Sequence, residues 1–100
     1  MADFNLTAHM RNGNLYIYLS GRIASQNVAE LETRLATERK NHPNGSVIFD
    51  CEKLVYISSA GLRVFLTFNK KETSPVKIIN VSPEAYEIFD ITGFTEIFEV

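Results

Sequence analysis

Val47-Ile48-Phe49-Asp50 and, just beyond it, Tyr56-Ile57-Ser58-Ser59-Ala60-Gly61-Leu62-Arg63 are the stretches whose reading decides how this chain folds. The first is a short continuous apolar run, the pattern of a strand buried on both faces, with Asp50 at its expected carboxyl end. The second places two serines ahead of an amphipathic helix whose buried stripe is Leu62, Phe65 and Leu66. Lys70-Lys71 suit the negative end of that helix, and Thr73-Ser74-Pro75 breaks it.

Working outward, Phe4-Asn5-Leu6-Thr7-Ala8-His9-Met10 alternates apolar and polar residues, which predicts a half-buried strand. Asn12-Gly13 is a hairpin signal, and Leu15-Tyr16-Ile17-Tyr18-Leu19 predicts a partner strand ended by Ser20-Gly21. Val28, Leu31 and Leu35 recur at helical spacing and predict a helix over about Asn27–Lys40, with Asn27 and Glu30 as a capping box. Asn41-His42-Pro43-Asn44-Gly45 ends it. Beyond the central pair lies a strand over Val76–Val81, then a helix capped by Ser82 with Pro83 at its first position, running through Ala85, Ile88 and Phe89 to just before Gly93. Phe94-Thr95-Glu96-Ile97-Phe98 predicts a last short strand or helical turn. The order β-β-α-β-α-β-α-(β) makes an α/β domain, with a mixed sheet of four to five strands opened by a hairpin and helices packed against it. One hundred residues hold one such domain, 1–100.

Composition narrows the chemistry. Twelve acids against ten bases give a formal charge of -2, against a nucleic-acid or anionic-membrane partner. The N-terminus has no basic-then-apolar segment and no run is long enough to span a bilayer, so the expected setting is the cytoplasm. The single cysteine, Cys51, rules out an internal disulfide, and with His9 and His42 it cannot make a four-ligand structural zinc site without carboxylates. The five glycines form neither GxGxxG nor GxxxxGK[ST]. No metal, no cofactor and no catalytic constellation is expected, and the free protein is expected to be a monomer.

Attention therefore falls on the serines. In open α/β sheets function gathers at the carboxyl ends of parallel strands, here the stretch from Asp50 to Ser59. A hydroxyl at a helix start lies near free backbone N–H groups and the positive end of the dipole, where a phosphate is well accommodated. The plain alternative is that a serine there is only an N-cap. Gly61 costs the helix about 1 kcal/mol against Ala and admits a close neighbour.

In these residues the chain resembles the STAS domain family, and within it the bacterial anti-sigma factor antagonists. The resemblance covers essentially the whole chain. It rests on Leu19-Ser20-Gly21-Arg22-Ile23, Val47-Ile48-Phe49-Asp50, Tyr56 to Leu62, Ile78-Ile79-Asn80-Val81-Ser82-Pro83 and Phe89-Asp90-Ile91-Thr92-Gly93-Phe94. It implies a non-enzymatic partner-switching protein. Such a protein binds an anti-sigma factor that is also a serine kinase, thereby freeing a sigma factor. Phosphorylation of the serine two residues before the motif glycine, here Ser59, ends that binding, and a serine phosphatase reverses it. The implied partner surface comprises Ala24, Ser58, Ser59, Ala60, Gly61 and Arg63, with Val64 and Phe68 on the flank. Many members carry acids where this chain has Ala24 and Ser58, so two charge pairs with a basic partner are missing. A second reading is therefore a phosphorylation-independent STAS scaffold or transporter-associated subunit. A third, a small enzyme or nucleotide-binding protein, lacks the usual parts.

Other residues have competing uses. Val64 and Phe68 either pack against the helix from Pro83 or widen a partner-binding flank. Cys51 has no basic neighbour except Lys53, which favours a structural over a redox-sensing thiol. His9 and His42 read as solvated side chains rather than pH switches. Phe89, Phe94 and Phe98 read as core aromatics rather than a ligand pocket.

Overall fold

The computed structural model describes residues 3–91. The order is β1 (Phe4–Arg11), β2 (Asn14–Ile23), α1 (Val28–Asn41), β3 (Val47–Ile57), α2 (Ser59–Lys70), β4 (Lys77–Ile79) and α3 (Pro83–Ile91). The expected strand or turn at Phe94–Phe98 lies outside the described residues. The four strands form one mixed sheet in the order β1-β2-β3-β4. β1 and β2 are antiparallel, and β2–β3 and β3–β4 are parallel. This is the single α/β architecture that the alternating pattern predicts.

Local chemistry sets each element. Asn12 and Gly13 both hold positive φ, 53° and 81°, the hairpin turn that matches strand twist. Leu15, Ile17 and Leu19 are buried, while Tyr16 and Tyr18 stand half-buried on the opposite face. Parallel strands need right-handed crossovers, and both crossovers step the same way across the sheet, so α1 and α2 lie on one face and touch each other. Phe49, Phe65 and Phe89 are fully buried between the sheet and the helices, with the Phe49 and Phe65 rings 4.8 Å apart and the Phe65 and Phe89 rings 6.5 Å apart. The far end is tied by Arg39. Its guanidinium donates to both Glu72 carboxylate oxygens (2.8 and 3.2 Å) and to the carbonyls of His42, Asn44 and Gly45.

Four expectations need correction. β2 does not end at Ser20-Gly21 but continues to Ile23. The register with β3 shifts between Tyr18 and Ser20 and again between Gly21 and Arg22, each time with the extra residue on β3, while Gly21, at a φ of 85°, stays paired with Phe4 and carries β2 onward. β3 does not stop at Asp50 but runs to Ile57, and those bulges change its burial spacing to Cys51, Leu54 and Ile57. β4 is shorter than Val76–Val81, pairing only over Lys77–Ile79. Asn27 precedes α1, yet its side chain makes no capping bond. Its Oδ1 accepts from the Ala24 N–H and its Nδ2 donates to the Arg22 carbonyl.

Candidate functional site

The carboxyl ends of β2 and β3 finish side by side, with Ile23 opposite Ile57. The Ser58 N–H donates to the Ile23 carbonyl at 2.8 Å, joining the start of α2 to the β2–α1 loop. Asn27, buried to 5% exposure, staples that loop from within, so Ala24 is held beside Ser58.

The two serines divide the work. Ser58 is the N-cap, extended at φ -83° and ψ 169°, and its Oγ accepts from the Gly61 N–H at 3.2 Å. Ser59 is the first helical residue. It is exposed, and among the described residues its hydroxyl makes no hydrogen bond. The plain N-cap role thus falls to Ser58, leaving Ser59 Oγ available to solvent.

Ser59 opens into a groove between α1 and α2, a volume of about 470 Å³ lined by Val28, Ala29 and Glu32 from α1 and by Ser59, Ala60, Arg63, Val64 and Thr67 from α2. Ala24, Ser58, Ser59, Ala60, Arg63 and Val64 are therefore brought to one end of the domain. Two others on the same helix serve the interior. Gly61 is buried, and a Cβ there would stand 2.7 Å from both Ile23 Cγ2 and Ile57 Cγ1. Its close neighbour is the domain's own sheet. Phe68 is half-buried with its ring 5.5 Å from Phe49. Val64 and Phe68 line a small hollow with Glu32, Leu35 and Ala36 of α1. The groove also contains Val28, Ala29 and Glu32, which the sequence reading missed. Their own pattern says only core stripe and polar face, and the crossover rule alone brings them beside α2.

The remaining chemistry is sparse. Cys51 is buried, and desolvation, helped by the charge of Asp50, pushes its thiol up to about 12 from an ordinary 9.0. Among the described residues no three His, Cys, Asp or Glu side chains gather to hold a metal ion. No described helix is long and apolar enough to cross a membrane. A separate hollow of about 320 Å³ opens on the helix-free face of the sheet near Tyr18, Asp50, Glu52 and Lys53. There Arg11 lies over the Tyr16 ring and donates to Tyr18 Oη at 3.1 Å, which raises its pKa further. Among the described residues lining that hollow and the groove, no hydroxyl is hydrogen-bonded to a carboxylate.

Comparison with known proteins gives this arrangement relatives. Residues 5–100 match the family model described as the STAS domain. A Bordetella bronchiseptica protein carrying the name of an anti-sigma factor antagonist, BtrV, is 36% identical over 98 residues, covering 95% of this chain and 84% of its own. An anti-sigma factor antagonist from Mycobacterium paratuberculosis superposes with a TM-score of 0.85 at 15% identity, over 95% of this chain and 82% of that one. The unphosphorylated form of the anti-sigma factor antagonist SpoIIAA does so with 0.77 at 17% identity, over 94% and 85%.

Proposed function

The chain belongs to the STAS domain family, and from that premise we propose that it is an anti-sigma factor antagonist switched at Ser59. In this reading residues 1–100 form a single STAS domain, monomeric when free and working in the cytoplasm by binding rather than catalysis. It captures an anti-sigma factor that is also a serine kinase, and a sigma factor is released. The kinase moves the γ-phosphoryl group of ATP to Ser59 Oγ. ADP leaves, the hydroxyl proton goes to solvent, and the complex is lost. A serine phosphatase hydrolyses the phosphate and restores binding.

The observation that supports this reading is the division between the serines. The Ser58 hydroxyl is committed to the Gly61 N–H, whereas Ser59 is exposed, without a partner among the described residues, and at the mouth of a groove. A phosphate adds about 1.5–2 negative charges. At a helix N-terminus the domain tolerates them, while a docked partner bears their desolvation and repulsion.

The test is intact-mass analysis and phosphopeptide mapping after incubation with the organism's anti-sigma kinases and ATP. One phosphate on Ser59, absent from Ser59→Ala, is the expected result. Phosphate on Ser58 alone, or a Ser59→Ala protein modified to full stoichiometry, overturns the assignment. Ala24 and Ser58, standing where many relatives carry acids, favour the second reading of a phosphorylation-independent scaffold or transporter-associated subunit. Partner capture with no modification by any of these kinases selects that reading.

A further inference from the structure

Ser59 and Arg63 stand at i and i+4 of α2, so their side chains leave the same face of the helix one turn apart. Both line the α1–α2 groove. Arg63 is exposed, and among the described residues it makes no hydrogen bond or ion pair. The one other ionisable side chain among the described residues lining the groove is Glu32, across on α1, and it too makes no ion pair among them. Among the described residues, the groove thus holds one uncommitted cation, one turn from the Ser59 hydroxyl on one side and one turn from the Thr67 hydroxyl on the other.

We infer that Arg63 is the intramolecular counter-ion of a phosphate on Ser59, closing over it as a latch along the groove. The inference rests on Ser59 being the modified residue. A guanidinium offers parallel N–H donors that match two phosphate oxygens, which an ammonium does not. The phosphate is largely dianionic at neutral pH, with a second pKa near about 6, so it outcompetes the single charge of Glu32 for Arg63. Modification then changes the groove twice. It adds negative charge, and it withdraws the groove's cation from any partner carboxylate docked there. The rest of the described lining carries no charge, and its one further hydroxyl, Thr67, offers Arg63 only a neutral acceptor against a dianion.

The latch is testable without a kinase. Phosphoserine is encoded at position 59 during translation of the full chain, and the phosphate is titrated by phosphorus NMR. The proteins compared are the otherwise wild-type chain and its Arg63→Ala, Arg63→Lys and Glu32→Gln variants. Arg63 is exposed, so its variants keep the fold. The phosphate pKa should lie about half a unit lower with Arg63 present than in the Arg63→Ala protein, with Arg63→Lys in between. The Arg63 Nε–H resonance should shift along the same titration curve. Glu32→Gln should lower the phosphate pKa further by removing the competing carboxylate. Equal phosphate pKa values in the otherwise wild-type chain and its Arg63→Ala variant overturn the latch, as does an Arg63 resonance indifferent to the phosphate. Because the phosphate is installed genetically, a latch seen here alongside unmodified Ser59 in the kinase assay would refute the switch alone. The reverse pattern would refute the latch alone.

Discussion

Gly61→Ala tests how α2, and with it Ser59, is seated on the sheet. The added Cβ would lie 2.7 Å from Ile23 Cγ2 and 2.7 Å from Ile57 Cγ1, distances real Cβ atoms do not adopt. Ile23 is 0% exposed and Ile57 2%, so neither has room to swing away. Forcing one methyl into a packed core costs about 1–3 kcal/mol, and two buried contacts put this site in the upper half of that range. Replacing a helical glycine by alanine returns at most about 1 kcal/mol. The net loss is about 1–2 kcal/mol, or roughly a 10 °C fall in melting temperature for a domain this size. Urea and thermal denaturation measure it, and a double-mutant cycle assigns the cause. In an Ile57→Ala background the cost should shrink by about 1 kcal/mol, because one of the two obstructing side chains is gone and the space it leaves lets Ile23 give way. An alanine variant as stable as wild type, or a cycle with no coupling, would refute close approach as the reason for glycine at this position.

Ser58→Ala should lose about 1 kcal/mol through the missing cap, while Ser59→Ala should stay within about 0.5 kcal/mol of wild type, both read by urea unfolding. The Cys51 thiol should resist a disulfide reagent in the folded protein and react on unfolding. Since its pKa is about 12 folded against 9.0 unfolded, its contribution to stability is fully present below about pH 9 and falls as pH rises towards 12. The difference in unfolding free energy between wild type and Cys51→Ala should narrow over that window, and a constant difference would contradict the burial argument. Phe68→Asp should destabilise the domain by about 2 kcal/mol or more, because the carboxylate would lie against Phe49; a variant that melts like wild type would restore Phe68 to a free flank.

The sequence was informative where a local pattern coincided with what packing demands. The hairpin was legible because the alternation in β1 and β2 and the Asn12-Gly13 turn point to the same structure. The helix faces were legible for the same reason, since Leu31, Leu35, Leu62 and Phe65 are all buried. Strand length was not legible. Gly21 and Asp50 look like terminators, but both lie inside strands that continue past them, with bulges in β3 opposite the end of β2. A bulge breaks the two-residue period by which a strand is recognised, so Leu54 and Ile57 lose the alternation that would place them on the core face. Asn27 was misread because a residue that precedes a helix can cap it or hold the preceding loop, and only the loop geometry shows which. Half of the groove was out of reach, since α1 and α2 become neighbours through sheet topology rather than through any motif.

The way the site is built sets what a charge placed on Ser59 can do. Ser59 rests on a rigid platform: two strand ends in register, a backbone bond from Ser58 to Ile23, a loop held by the buried Asn27, and a helix seated against Ile23 and Ile57. None of these contacts involves the Ser59 hydroxyl. A charge placed there has no buried bond to break and no cap to displace, since Ser58 holds the cap. Its effects pass outward, to the groove and to whatever occupies it. In the proposed switch, a phosphate on Ser59 therefore acts through the charge it adds to this surface rather than through any described contact it would have to break.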